Sequence, residues 1–142
     1  MAELGTYVRL KGCEHYTGGL DTHDDTDGEY ALVWLTEGLE LVYHVATLMP
    51  GDGKRCTGKK RHVGNDYVTI AFLEEGSDFG HETLPSHFNF VLILVRALDD
   101  RTFHIAVKRK PDVPRTGPVL NEAVVDISAV GEVVRQCALQ AE

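Results

Sequence analysis

The sequence has few cysteines, no excess of basic residues and no long apolar run. Its three cysteines, Cys13, Cys56 and Cys137, form no CxxC pair, which argues against a zinc or redox site and favours a reducing, cytoplasmic compartment. The 14 lysines and arginines are outnumbered by 22 aspartates and glutamates, and the net charge of −8 argues against nucleic acid as a partner. The apolar run at residues 90–95 is far shorter than the roughly 20 residues of a membrane span. Without a basic and apolar leader, we expect neither secretion nor a membrane span.

The length and composition are typical of one folded domain. The chain has 142 residues, of which 43% are hydrophobic and 25% are charged. These fractions are close to the averages of globular proteins. We therefore expect a single α/β domain over residues 1–142, with a central mixed β-sheet flanked by helices.

Alternating apolar residues and intervening turn residues predict the elements of this domain. Strands are expected at residues 7–11, 30–36, 39–47, 67–73, 88–98 and 103–108, with a hairpin at Gly38. The strand at 88–98 is expected to be central, since both of its faces are apolar. A terminal helix capped by Ser128 should cover one sheet face with an apolar stripe of Val130, Val133, Val134, Cys137, Ala138 and Ala141.

Residues 17–29, which we call the acidic loop, are rich in glycine and acidic residues, and this composition predicts an exposed loop. The loop does not fit a calcium-binding EF-hand: aligning Gly28 with the sixth position puts His23 at the first and Trp34 at the twelfth. The histidines show no metal-binding spacing. We expect His44 and His104, which lie inside strand patterns, to be hydrogen-bonded structural residues, and we expect no metal or cofactor of the chain's own.

Residues 53–60 contain the GxxxxGK pattern of a phosphate-binding loop, but the eighth position does not fit such a loop. Lys60 stands where a serine or threonine hydroxyl should bind Mg²⁺. A small-molecule enzyme with a pocket at these residues is therefore disfavoured. No GxSxG sequence marks a serine nucleophile either.

Basic residues are concentrated in one short segment. Five of the 14 lie between residues 54 and 61, directly before His62. If this segment forms a short helix, His62 and Asn65 are three residues apart and share one face. The alternative is a helix that simply ends at Gly64 and Asn65, with the cations near the negative end of its dipole. The residues alone leave both interpretations open.

The sequence KKRHVGNDYV at residues 59–68 resembles the signature of the Rap/Ran-GAP domain family. Further stretches match the family in the same order, namely residues 18–21, 43–50, 88–91 and 133–139, so the resemblance covers nearly the whole chain. In this family an asparagine on a short helix, the asparagine thumb, is inserted into the nucleotide site of a small GTPase. Among the members, the chain most resembles one directed at Rheb.

The resemblance implies a GTPase-activating protein (GAP), which is not an enzyme by itself, with a small Ras-family GTPase of the Rheb, Rap or Ral type as partner. It assigns Asn65 as the thumb, supplied in trans to orient the attacking water. It places His62 at a second catalytic position, which supports the thumb or contacts the GTPase. Lys59, Lys60 and Arg61 would meet the acidic switch surface of the GTPase. GTP and Mg²⁺ would be carried by the GTPase, and no arginine finger is implied.

The sequence departs from the family pattern at both ends. The dimerisation region that precedes this domain in full-length members is missing, as is the basic segment that follows the terminal helix in some of them. The resemblance therefore does not extend to the family's homodimer, nor to the part of the partner-binding surface that these segments form. The alternative function is a non-catalytic module of the same fold that binds GTPases or scaffolds.

Overall fold

A computed structural model of the chain describes residues 3–51 and 57–141. The strands and helices follow in the order β1 Thr6–Arg9, β2 Tyr30–Thr36, β3 Leu39–Tyr43, α1 Thr57–Val63, β4 Val68–Leu73, β5 Val91–Ala97, β6 Thr102–Arg109, β7 Glu122–Asp126 and α2 Ile127–Leu139. Residue contacts cluster into two compact units, one up to Asn65 and one from Asp66 onward. Cys56 and the first residues of the GxxxxGK pattern, 53–56, lie outside the described residues.

The first unit is built on a three-stranded antiparallel sheet in the order β1-β2-β3. The predicted hairpin between β2 and β3 is confirmed, and Gly38 occupies its turn with a φ of 146°, a conformation that favours glycine. The sheet contributes to a small apolar core of Leu10, Leu20, Ala31, Val33 and Met49. Because Leu20 belongs to the acidic loop, this core fixes one part of that loop to the sheet.

The second unit holds a four-stranded mixed sheet in the order β4-β5-β6-β7. β4 and β5 pair in parallel, whereas β5 with β6 and β6 with β7 pair antiparallel. The predicted central position of β5 is confirmed, and residues 91–95 are all buried. A strand that is hidden on both faces needs such a continuous apolar run.

Helix α2 covers strands β5, β6 and β7 of this sheet. Val134, Cys137 and Ala138 are buried and Val133 is half-buried, which confirms the predicted packing of the apolar stripe. Burial raises the pKa of the Cys137 thiol. A thiol that resists deprotonation is a poor nucleophile, so Cys137 acts as a small apolar residue.

The start of α2 differs from the prediction. Asp126, not Ser128, is the N-terminal cap: its carboxylate accepts hydrogen bonds from the backbone N–H and the hydroxyl of Ser128, at 3.0 and 2.8 Å. These bonds, with a further one from Arg101, hold the pKa of Asp126 below its usual range. Both residue types are good caps, and only the fold shows which one stands at the helix start.

The mixed α/β class is confirmed, with a mixed sheet that contains β4 and β5 as predicted, and the structure adds a second, antiparallel sheet. Within the described residues, β1, β2 and β3 pair as a meander of their own, whereas β4 starts a new sheet by pairing in parallel with β5. Residues 122–126, for which the sequence pattern predicts no element, form the edge strand β7. The single domain over residues 1–142 stays a prediction. In the part of the chain that the structure describes, no helix is long and apolar enough to cross a membrane.

Candidate functional site

The end of helix α1 is the centre of the candidate site. The helix stops one residue before Gly64, whose N–H donates to the Lys60 carbonyl at 3.0 Å, and the Asn65 N–H donates to the His62 carbonyl at 2.9 Å. A Cβ on Gly64 would lie 2.5 Å from the Lys60 oxygen, so only glycine fits this approach. The predicted helix end at Gly64 and Asn65 is therefore confirmed.

The side chain of Asn65 is exposed at this helix end. Its Nδ2 donates a hydrogen bond to the Arg61 carbonyl oxygen at 2.6 Å. A primary amide has two N–H donors and one accepting oxygen, so one donor and the oxygen remain after this bond. A role as a helix-end residue is thus compatible with a role toward an external ligand.

His62 lies in the interior of the first unit. Its side chain is 6% exposed, and its Nε2 lies 3.0 Å from Asp27 Oδ2. The His62 ring also packs against that of His44, with 5.1 Å between the ring centroids. The expectation that His62 and Asn65 share one face is wrong, because the helix ends before Asn65 and leaves one side chain buried and the other exposed.

Asp27, near the end of the acidic loop, is the site residue that sequence reasoning missed. It is 6% exposed and accepts hydrogen bonds from the backbone N–H of Asp21 at 2.9 Å and from Arg61 Nη2 at 3.1 Å to each oxygen. His62 Nε2 lies 3.0 Å from Asp27 Oδ2 and also 3.0 Å from Arg61 Nη2, so the three side chains form one cluster. These partners offset the cost of burying the charge. The predicted exposed loop differs from the structure at Leu20, Asp27 and Gly28, which are buried.

No local signal in the sequence distinguishes Asp27 from the other acidic residues of the loop. The contact with Arg61 spans 34 positions of the chain, and only the folded unit brings the two together. The contact is therefore a product of tertiary structure.

The beginning of the acidic loop is fixed by His44. His44 Nε2 lies 3.0 Å from the carbonyl oxygen of Gly18, which confirms the predicted hydrogen-bonded structural histidine. Gly18 has a φ of 65°, and a Cβ there would lie 2.8 Å from the same nitrogen. Glycine at this position therefore permits both the backbone conformation and the close approach.

The middle of the acidic loop is ordered around the carboxylate of Asp21. It accepts hydrogen bonds from the backbone N–H groups of His23, Asp24 and Thr26 and from the Thr26 hydroxyl. These bonds, the one from His23 first, hold the pKa of Asp21 well below its usual range. Within the described residues, no group of three histidine, cysteine, aspartate or glutamate side chains is placed to hold a metal ion.

The basic residues of α1 differ in their exposure and in their contacts. Lys60 is exposed and Lys59 is half-buried. Arg61 is 64% exposed along its side chain, yet its Nη2 is bound to Asp27. Lys60 and Arg61 lie in the last turn of α1, where the helix dipole favours positive charge, and Lys59 lies before that turn. Their contact with a GTPase stays a prediction.

Comparison with known proteins identifies the family of this chain. Residues 1–142 match the family model described as Rap/ran-GAP. The chain belongs to the Rap/ran-GAP family. A solved structure of the TSC2 GAP domain is similar to this family member, with a TM-score of 0.85 and 34% sequence identity, over 97% of this chain and 76% of that chain.

Two curated relatives are similar to parts of this Rap/ran-GAP chain. Mouse signal-induced proliferation-associated 1-like protein 1 is 40% identical over an alignment of 128 residues, and the match covers 85% of this chain and 7% of that protein. The tuberous sclerosis 2 protein homolog of Schizosaccharomyces pombe is 44% identical over an alignment of 96 residues, and the match covers 65% of this chain and 7% of that protein. The chain thus spans a small part of the length of these relatives. The predicted likeness to the family, and to the tuberin (TSC2) GAP domain, is confirmed.

Proposed function

We propose that this chain is a GTPase-activating domain that stimulates GTP hydrolysis by a small Ras-family GTPase. The observation that carries the proposal is the exposed amide of Asn65, held at the end of α1 by hydrogen bonds to the carbonyls of Arg61 and His62. Such a group can orient a water in the nucleotide site of a GTPase without titrating. Membership of the Rap/ran-GAP family supports this role.

The other residues of the site would act through Asn65 or through the encounter with the GTPase. His62 is buried, so it supports the helix end that carries Asn65. Lys59, Lys60 and the exposed part of Arg61 attract the acidic switch surface of the GTPase. GTP and Mg²⁺ are carried by the GTPase, and the reaction takes place in the cytoplasm.

We propose a Rheb-type GTPase as the first substrate to test, with Rap and Ral types as alternatives. The sequence resembles a Rheb-directed member of the family, and the TSC2 GAP domain is similar in fold over 97% of this chain. A panel of the three GTPase types distinguishes them directly.

The decisive experiment is single-turnover GTP hydrolysis by that panel with and without the chain and its Asn65→Ala variant. We expect the wild-type chain to accelerate at least one GTPase. The loss of one preorganised hydrogen-bonding group should reduce the rate with Asn65→Ala on the order of 10²- to 10³-fold, toward the intrinsic rate of the GTPase. His62→Ala should give an intermediate rate, because His62 supports the helix end.

Asn121→Ala is the matched control, since Asn121 is an exposed asparagine of the second unit. It should leave the stimulated rate unchanged. Affinity for the GTPase loaded with a non-hydrolysable GTP analogue should be similar for all these chains. If Asn65→Ala keeps near wild-type stimulation, the catalytic assignment is wrong and Asn65 only ends the helix.

The basic residues are tested by reversing Lys59 and Lys60 to glutamate together, which leaves the contact between Arg61 and Asp27 in place. We expect slower association with the GTPase, a largely unchanged rate at saturation, and wild-type stimulation that declines as salt rises. The double variant Lys11→Glu/Arg115→Glu changes the net charge equally at two exposed positions and is the control. If stimulation by the wild-type chain does not depend on salt, and the Lys59→Glu/Lys60→Glu variant associates with the GTPase as fast as the wild type, these two residues have no role in the mechanism.

The alternative function is a non-catalytic module that binds GTPases or scaffolds. It is favoured by one observation, the hydrogen bond that already joins the Asn65 amide to its own helix. The same experiment separates the two functions: tight binding of a GTP-loaded GTPase with no change in its hydrolysis rate would establish the binding module.

A further inference from the structure

We propose that Asp27 is a positioning residue that holds Asn65 in its working place through Arg61 and His62. This inference rests on the proposed function of Asn65 and adds a residue of the acidic loop to it. Asp27 would not touch the GTPase or its nucleotide. It would act as the buried anchor of the helix end that presents the amide.

The same two residues of α1 join Asp27 to Asn65. The side chains of Arg61 and His62 contact the Asp27 carboxylate, at 3.1 and 3.0 Å. Their backbone carbonyls accept the two hydrogen bonds of Asn65, from Nδ2 at 2.6 Å and from the backbone N–H at 2.9 Å. A shift of the last turn of α1 away from Asp27 would therefore move both acceptors that hold Asn65.

Helix α1 needs such an anchor because it is short. It has seven residues, and a helix of this length is marginal on its own in water. Its position therefore depends on tertiary contacts of its side chains. His62 is the buried residue of this helix, and its Nε2 lies 3.0 Å from both Asp27 Oδ2 and Arg61 Nη2, which is itself bound to Asp27.

The backbone at Asp27 is itself held in place. Gly28, the next residue, has a φ of 115°, and a Cβ there would lie 2.5 Å from the Leu48 carbonyl oxygen. On the other side, the Asp27 carboxylate accepts the backbone N–H of Asp21 at 2.9 Å. An anchor fixed by close backbone packing can transmit its position to α1, whereas an exposed loop carboxylate could not.

The first test measures amide hydrogen exchange in the wild-type chain and in Asp27→Asn. Asparagine keeps the shape of the side chain and removes the charge that Arg61 and His62 contact. The amides of Gly64 and Asn65 should exchange on the order of tenfold to a hundredfold faster, as expected when charge-assisted hydrogen bonds are lost. The control is Asp24→Asn, the same change at an exposed position of the same loop. If Asp27→Asn does not fold, Asp27→Glu replaces it, since it keeps the charge but displaces the carboxylate.

The second test measures single-turnover GTP hydrolysis at saturating concentrations of each variant, with a GTPase that the wild-type chain stimulates. Asp27→Asn should lower the maximal rate on the order of tenfold to a hundredfold, since a displacement of about 1 Å can cost that much. The concentration for half-maximal stimulation should change little. In the Asn65→Ala background, Asp27→Asn should have no further effect on the rate, because the group that it positions is gone.

The outcomes separate this inference from the proposed function. If the wild-type chain stimulates no GTPase, the proposed function fails, and the exchange rates alone decide whether Asp27 holds the helix end. If the exchange of Gly64 and Asn65 is the same in Asp27→Asn and Asp24→Asn, the inference is overturned. It is also overturned if Asp27→Asn lowers the rate equally with and without Asn65, because a general loss of structure would do that.

Discussion

Two contacts between a histidine and a carboxylate, one in each unit, have nearly the same length but different surroundings. In the first unit His62 Nε2 lies 3.0 Å from Asp27, and both side chains are 6% exposed. In the second, His104 Nε2 lies 3.1 Å from Glu122, and the side chains are 33% and 73% exposed. The distance alone therefore says little about what each contact contributes, and burial decides.

The two contacts also differ in how they arise. His104 and Glu122 lie on the neighbouring strands β6 and β7, and the register of that pair brings them together. Water competes for both groups and salt screens them. Asp27 and His62 meet only when the acidic loop folds onto α1, and Arg61 and the backbone of Asp21 complete the set of donors. Removing the carboxylate from such a set leaves its buried donors without a hydrogen-bond acceptor.

The largest effect on stability is expected for Asp27→Ala. Breaking a buried pair by removing one partner costs about 3 kcal/mol, because the remaining group stays in a poorly solvating environment. The chain has a single tryptophan, Trp34 of β2, so its fluorescence in urea reports on the first unit, which contains Asp27. We expect the free energy of unfolding of that unit to fall by about this amount.

Asp24→Ala is the control for this prediction, since it truncates an exposed aspartate of the same loop. The free energy of unfolding measured by fluorescence should stay within about 0.5 kcal/mol of the wild-type value. If the two variants lower the free energy of unfolding equally, the burial of Asp27 does not contribute to stability. Burial would then not explain a difference between the two histidine–carboxylate contacts.

The contrast between the two contacts also explains what could be predicted from the sequence. Strands β2 and β5 follow from local alternation and apolar runs, and the hairpin follows from Gly38, because these signals depend on neighbours in the chain. The edge strand β7 was missed because proline and glycine dominate the residues before it. The sequence predicts Ser128 as the cap of α2, but Asp126, two residues earlier, is an equally good cap residue, and the sequence pattern does not rank the two.

The residues of the candidate site also differ in whether the sequence alone can locate them. The basic residues and Asn65 lie within one short segment, so a local motif and a family resemblance locate them. Asp27 is one of several acidic residues in a polar loop, and its distinction is burial against a helix 34 positions away. A local pattern contains no information on that contact. Residues that act through tertiary packing are therefore the ones that sequence reasoning missed here.

The smallest effect is expected for Glu122→Ala, which removes the exposed partner of His104. An exposed pair of this kind contributes about 0 to 1 kcal/mol, since water and ions replace either partner. In urea unfolding monitored by circular dichroism, the free energy of unfolding should change by no more than about 0.5 kcal/mol. Any difference from the wild type should shrink as the salt concentration is raised. A double-mutant cycle with His104→Ala isolates the pair from other effects of each truncation. A coupling energy above about 1 kcal/mol would contradict the view that burial separates the two contacts, because contact length would then be sufficient to explain both.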